Sequence, residues 1–299
     1  MEENMPTTLL EYFKDYLPLF EKAAKGAVEI TGENVLQHGN PEFNKIMNSI
    51  IDKLLLQGSE FRHSENLEKF LDAVNSGKKG IILAEHYSNF DYPILLNLMH
   101  KTGEKGAALA KKCIAIAGLK LGEDNNHIAS CSEGYDRIFI YPSRSIKSIT
   151  DPVERAVQIK RSKQINLASM RALEKVKKEG RVVVVYPAGT RYRPGRPETK
   201  RGVKEIDSYI KMSDIMLLVS VNGNCLKISE SGNMTEDIIC TDKIILDASE
   251  VIDCAEFREE VKSRHAGIEG IEKKQAVVDR VMEILEKMHE LNEKGRLTK

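Results

Sequence analysis

From Gly80 onward, short apolar runs alternate with stretches of helical periodicity, and that alternation restricts the fold more than any other feature of the chain. Gly80–Ala84, Ala107–Ala110, Arg137–Tyr141, Val182–Tyr186, Ile215–Val221 and Lys243–Leu246 read as strands. Between and after them, Pro93–Lys101, Asp151–Lys178, Gly202–Met212, Ala255–Arg264 and Glu272–Asn292 read as helices. Strand and helix in turn predict an α/β layer fold: a mixed, largely parallel central sheet flanked by helices. In such sheets, sites lie beyond the C-terminal ends of the strands.

The first 78 residues read instead as helix throughout. Thr8–Lys25 places Leu9, Leu10, Phe13, Leu17 and Phe20 at helical spacing, and Pro18 is expected to kink or divide it. Asn40-Pro41 fits a cap followed by proline at the first helical position, opening a helix through Leu56. A third helix, Ser64–Ser76, gathers Leu67, Phe70, Leu71 and Val74 on one face and stops before Gly77. The expected division is a small N-terminal helical bundle, residues 1–78, and an α/β domain, residues 79–299, with Gly77-Lys-Lys-Gly80 as the seam. The aromatic-rich first helix is read as core packing in preference to a membrane-surface element.

A length of 299 residues suffices for one large or two moderate domains. Even Ile215–Val221 is far shorter than the roughly 18 apolar residues of a membrane span. The N-terminus lacks the basic start and apolar core of a secretory signal, so a cytoplasmic location is expected. Cys113, Cys131, Cys225, Cys240 and Cys254 are odd in number and contain no C-x-x-C pair, which predicts reduced, packed thiols and no bound metal.

The net charge of zero conceals a strong asymmetry. Between Arg155 and Lys204, fifteen Lys/Arg face three acids (Glu174, Glu179 and Glu198), a local balance of +12. Such a block implies an anionic partner: phosphate groups, a lipid surface, an acidic carrier protein or nucleic acid. For Lys175–Lys178, a solvated basic helix face accounts for the pattern equally well. Tyr186 and Tyr192 are the only aromatics in the block, a poor supply for base stacking, so no nucleic acid is expected.

Two motifs begin where strands end. In His86-Tyr-Ser-Asn-Phe-Asp91, the pair is about 140° apart on a regular helix, so only a turn between strand and helix would bring the side chains together. Asp91 is also placed to cap the following helix, with Pro93 in its first turn. A carboxylate bonded to one imidazole nitrogen fixes the tautomer and stabilises the cation when the other nitrogen takes a proton. The proton source for such a base is read as a hydroxyl of an acceptor substrate. The other histidines (His38, His63, His100, His127, His265 and His289) are read as surface or core residues.

The second motif is Tyr186-Pro-Ala-Gly-Thr-Arg-Tyr-Arg193-Pro-Gly. Arg191 and Arg193 point the same way in an extended segment, and two guanidinium forks on one side match a phosphate monoester. Arg144, just past the strand that ends at Tyr141, is a third candidate for the same phosphate.

With these residues in place, the chain resembles the glycerophospholipid acyltransferase superfamily, most closely the soluble glycerol-3-phosphate acyltransferases of plant chloroplasts. The order of H-x-x-x-x-D, Arg137-Ile-Phe-Ile-Tyr141 and Pro-Ala-Gly-Thr-Arg carries the likeness over roughly residues 71–221. The resemblance implies that His86 is the catalytic base, Asp91 its partner, and Arg144, Arg191 and Arg193 the phosphate ligands. It implies transfer of a fatty acyl group from acyl carrier protein or coenzyme A to the sn-1 hydroxyl of glycerol 3-phosphate, giving lysophosphatidate. No cofactor is implied, and peripheral contact with an anionic membrane is a further expectation. Two departures bear on the acceptor. Ser145 stands where that family has a histidine, and Ala188 where lysophosphatidate acyltransferases have glutamate, although Gly189-Thr190 matches the latter. A 1-acylglycerol-3-phosphate acyltransferase is therefore the alternative. A non-enzymatic binder of anionic lipid or nucleic acid is the alternative of another class.

Overall fold

The computed structural model describes residues 7–23, 29–119, 132–231, 233–265, 267 and 270–297. His127, Cys131, the N-terminal residues 1–6 and the end of the first expected helix lie outside them. The chain begins with β1 (Thr7–Thr8), α1 (Leu9–Phe13), a 3₁₀ turn over Lys14–Tyr16, and α2 (Leu17–Ala23). Pro18 falls in the first turn of α2, where a missing N–H is tolerated, and the expected division occurs just before it. Next come β2 (Leu36–Gln37), α3 (Pro41–Leu54), β3 (Glu60–Arg62) and α4 (Ser64–Asn75). The Asn40 side chain accepts from Glu42 N at 2.9 Å, with Pro41 at the first helical position.

The α/β part runs β4 (Gly80–Ala84), α5 (Asp91–Lys101), α6 (Glu104–Lys112), β5 (Cys113–Gly118) and β6 (Arg137–Ile140). It continues with α7 (Ser143–Lys147), α8 (Pro152–Lys178), β7 (Val182–Val185), α9 (Ile206–Lys211) and β8 (Ile215–Asn222). After β9 (Leu226–Lys227), β10 (Ile238–Ile239), β11 (Ile245–Ala248) and β12 (Ile252–Asp253), it closes with α10 (Cys254–Arg264) and α11 (Gly270–Leu297).

The main sheet has the order β2-β6-β5-β7-β4-β8-β11-β3, with β12 also paired to β8. Its five central strands, β6, β5, β7, β4 and β8, are parallel; β2 is antiparallel to β6 and β11 to β8, while β3 runs parallel to β11. Strands β1, β10 and β9 form a small antiparallel sheet. This is the mixed, largely parallel α/β sheet that the sequence predicts, with a small helical region ahead of it. Strands β2 and β3 correct the all-helix reading of the first 78 residues: both join the main sheet.

The pleat sorts the core into two layers. Ile82, Val184 and Leu217 face α1–α6, packing with Phe13, Phe43, Phe70 and Leu98. Ile81, Val183 and Leu218 face the other way, toward Leu173 of α8, Ile210 of α9, Phe257 of α10 and Val281 of α11. The first helix supplies core: Leu9, Phe13 and Phe20 are buried.

One predicted strand is wrong. Ala107–Ala110 lies inside α6, and the strand comes next, as β5. A four-residue apolar run fits either state, and alanine and leucine between lysines favour helix. Gly106 seats that helix against α5, since a Cβ there would lie 2.3 Å from Met99 O. The short elements α7, β9, β10 and β12 were not predicted, and some ends differ: α9 begins at Ile206 instead of Gly202, and β11 at Ile245 instead of Lys243.

Candidate active site

All five parallel strands end on one edge of the sheet, and β4 delivers His86 there two residues after Ala84. The turn that follows is organised by one carboxylate. Asp91 Oδ2 lies 2.8 Å from His86 Nδ1 and accepts the amides of Tyr87 (2.6 Å) and Ser88 (2.9 Å), while Oδ1 accepts Ser88 Oγ (3.0 Å). Asp91 is the first residue of α5, and its side chain turns back into the loop rather than capping the helix. The capping reading is thereby corrected: the amides it takes are upstream, not downstream.

With Asp91 as acceptor, the Nδ1 proton is fixed and Nε2 is the basic nitrogen. The imidazole stacks on Tyr186, centroids 4.1 Å apart and 17° between planes, so both its tilt and its rotation are set. His86 is 18% exposed and Asp91 4%. Among the described residues Nε2 has no hydrogen-bond partner, which leaves it open to a substrate.

The loop after β7 lies against this turn: Tyr192 N donates to His86 O at 2.8 Å. Arg191 and Arg193 therefore flank a residue bonded to the loop of the base. Their environments differ. Arg191 is buried and donates through Nη1 to Asp237, which is itself fully buried and also accepts Ser229 N at 3.0 Å. Arg193 is half-buried, its backbone N held by Thr199 Oγ1 at 2.9 Å. Arg144 sits exposed on α7, past the end of β6 and on the same edge. Three strand spacings separate β6 from β4, about 14 Å at roughly 4.8 Å each.

Glu85, Tyr87, Ala188, Tyr192, Lys200 and Met282 line a small cleft at His86; Glu85, Tyr87 and Met282 were not picked out from the sequence. Lys200 lies 5.5 Å over the Tyr192 ring and pairs with Glu286 of α11. The cleft shares Lys200 and Met282 with a groove of ≈ 460 Å³ between residues 200–202 and α11. Beneath the cleft, buried Glu85 accepts from Tyr87 OH at 3.0 Å and Val221 N at 3.0 Å, and faces His289 Nδ1 at 2.9 Å. Burial opposes charge on His289, and the hydrogen bond and field of Glu85 overcome it, raising its pKa above the usual value. Burial, with Glu85 beside it, keeps the Tyr87 phenol protonated. A carboxylate ending an apolar strand was the available signal for Glu85; Met282 and His289 left none.

Among the described residues, Cys113, Cys225, Cys240 and Cys254 form no disulfide, and burial pushes the Cys113 thiol up to about 12. No helix among them is long and apolar enough to cross a membrane.

A base held by a carboxylate at the C-terminal edge of a parallel sheet, beside a loop with two arginines, has the makings of a group-transfer site. A model of the acyltransferase family matches residues 59–215, just over half of the chain and the span from β3 to the start of β8. The chain therefore belongs to the acyltransferase family, an assignment that supports the likeness to glycerophospholipid acyltransferases and a role in lipid metabolism. No curated protein matches it.

Proposed function

We propose that the protein moves a fatty acyl group from a thioester, carried by coenzyme A or acyl carrier protein, to the sn-1 hydroxyl of glycerol 3-phosphate. The observation that carries this reading is the 2.8 Å His86–Asp91 pair, with Nε2 left open on the cleft. Nε2 takes the proton of the acceptor hydroxyl as its oxygen attacks the thioester carbonyl. The tetrahedral adduct expels the thiolate, breaking C–S as the ester C–O bond stands, and the imidazolium returns the proton to sulfur. Asp91 stabilises the transient cation, and Tyr186 keeps the ring in plane.

Arg193, with Arg144 and the remaining donors of Arg191, holds the acceptor phosphate and sets which hydroxyl reaches Nε2. The groove beside α11, which shares Lys200 and Met282 with the cleft, is the approach proposed for the thioester. Gly189-Thr190-Arg191, which matches lysophosphatidate acyltransferases, supports the second reading, in which the acceptor is 1-acylglycerol 3-phosphate.

The test is acyl transfer by purified protein, read by mass spectrometry, with each acceptor offered alongside each donor and with His86→Ala as control. Lysophosphatidate formed from glycerol 3-phosphate and lost in His86→Ala is the expected result. Product from 1-acylglycerol 3-phosphate alone would keep the mechanism and change the acceptor. Transfer undiminished in His86→Ala would remove the mechanism.

A further inference from the structure

Helix α8 is longer than the sheet it covers. It runs antiparallel to β6: Ser169 Oγ reaches Phe139 O at 2.5 Å, and Asn166 brackets Tyr141, accepting its N at 2.8 Å and donating to its O at 3.0 Å. Asn166 thus marks the sheet's active-site edge. Residues 152–165 rise beyond it, about 20 Å of helix at 1.5 Å per residue. None of residues 152–161 is buried; the buried side of α8 starts at Ser162.

The outer side of this helix is unusual in composition. Val153 (74% exposed), Val157 (60%), Ile159 (37%) and Leu167 (55%) are four of the eight large hydrophobic residues exposed among the described residues. Val153, Val157, Lys160, Gln164, Leu167 and Arg171 follow one another at intervals of four and three, a single stripe. It lies opposite the stripe of Ser162, Ile165, Ser169 and Leu173 that packs on the sheet. From Arg155 to Leu173 there is no acid, and Arg155, Lys160, Lys163 and Arg171 are all exposed and form no ion pair among the described residues.

We infer that the outer face of α8 docks the protein on an anionic lipid bilayer. Lys160 and Arg171 interleaved with Val153, Val157 and Leu167 along one stripe offer charge to headgroups and apolar side chains to the acyl boundary. Other occupants fit less well. A second copy would bring like charges together along the whole stripe. A protein partner is expected to seat aromatic anchors in a pocket, and this face has neither. The inference rests on the acyl-transfer reading for its biological sense, since the product there is a lipid that leaves from the same edge.

The test separates the two. The full chain is floated with phosphatidylcholine vesicles, with and without phosphatidylglycerol, for wild type, His86→Ala, Val157→Asp/Leu167→Asp and Lys160→Glu/Lys163→Glu. Binding confined to the anionic vesicles is expected. Each α8 double variant should weaken it by roughly tenfold or more, and His86→Ala should leave it unchanged. Circular dichroism checks that the variants remain folded; the four α8 positions are all exposed. Equal binding to neutral vesicles, or binding indifferent to the α8 variants, overturns the assignment. So does loss of vesicle binding in favour of an acidic acyl carrier protein whose affinity falls with the same substitutions. Vesicle binding through α8 in a protein that transfers no acyl group would leave the surface standing and remove the reaction.

Discussion

His289 Nδ1 lies 2.9 Å from Glu85 Oε2, joining two residues 204 positions apart and tying α11 to the residue that precedes the candidate base. Glu85 is buried and bonds on three sides, to His289, Tyr87 and Val221 N, and Tyr87 in turn meets the Tyr192 ring edge-on at 5.8 Å. The floor of the cleft is therefore a network fixed from outside the family-matched segment.

That pairing has a pH signature. The pKa of His289 is raised in the folded state, so its contribution to stability is complete below its unfolded value of 6.5 and is lost as pH rises through the higher folded value. Lys200 opposes this charge and Glu293 supports it. His289→Phe should cost roughly 3 kcal/mol at pH 6 and clearly less at about pH 9, because only the charged partner is missing. Urea denaturation of both proteins at the two pH values measures it. A difference that does not shrink with pH would show that packing, not the ion pair, holds α11 there.

Asp91 and His86 should separate by stability. His86→Ala removes the base and should lower turnover by about 10²–10⁴-fold with little change in melting temperature. Asp91→Ala also frees the Tyr87 and Ser88 amides, so it should lose both activity and stability, visible as a lower Tm. Equal Tm values for wild type and Asp91→Ala would contradict the role given to that carboxylate in closing the turn.

The two arginines of the second motif are expected to behave differently. Arg193→Ala should raise KM for the phosphorylated acceptor and leave the fold alone. Arg191→Ala strands the fully buried Asp237 and should cost roughly 3–5 kcal/mol, with the KM effect superimposed. Arg191→Met/Asp237→Leu should recover much of that stability without recovering acceptor affinity. A change in the acyl-donor KM alone, from either single substitution, would refute the phosphate assignment.

Lys177, in the basic stretch for which a solvated helix face and an anionic partner are equal readings of the sequence, is buried and donates to Ser213 Oγ and to Met212 O. Burial lowers its pKa from 10.5 to about 8. Between those values the unfolded chain binds more protons, so stability rises with pH there, by about 3 kcal/mol for this group. Lys177→Met should abolish that rise, as shown by comparing wild type and variant at about pH 7.5 and pH 10.5. A variant with the same slope as wild type would mean that the amine is not desolvated.

How much of this was legible depends on how locally each feature is determined. Strands β4, β7 and β8 declare themselves because they are apolar on both faces, and the turn from His86 to Asp91 because strand, loop and helix are contiguous. Helix α6 and strand β5 do not, because Gly-Ala-Ala-Leu-Ala serves either state until packing against Met99 decides it. The pairs Glu85–His289 and Arg191–Asp237 were invisible for a different reason. Each joins charges whose separation along the chain has no periodicity, so only docked helices and loops bring them together. Strand β3 is three residues long and is recruited by β11 rather than by any apolar run of its own.

Met282 lines the cleft and His289 bonds Glu85 beneath it, both on α11 and about 200 positions later than His86. A ribosome making this chain exposes the base, its carboxylate and both loop arginines long before the residues that enclose them. The nascent protein thus carries the candidate base through most of its synthesis without a finished chamber around it. The cleft can be enclosed only once α11 has been made and packs against β8.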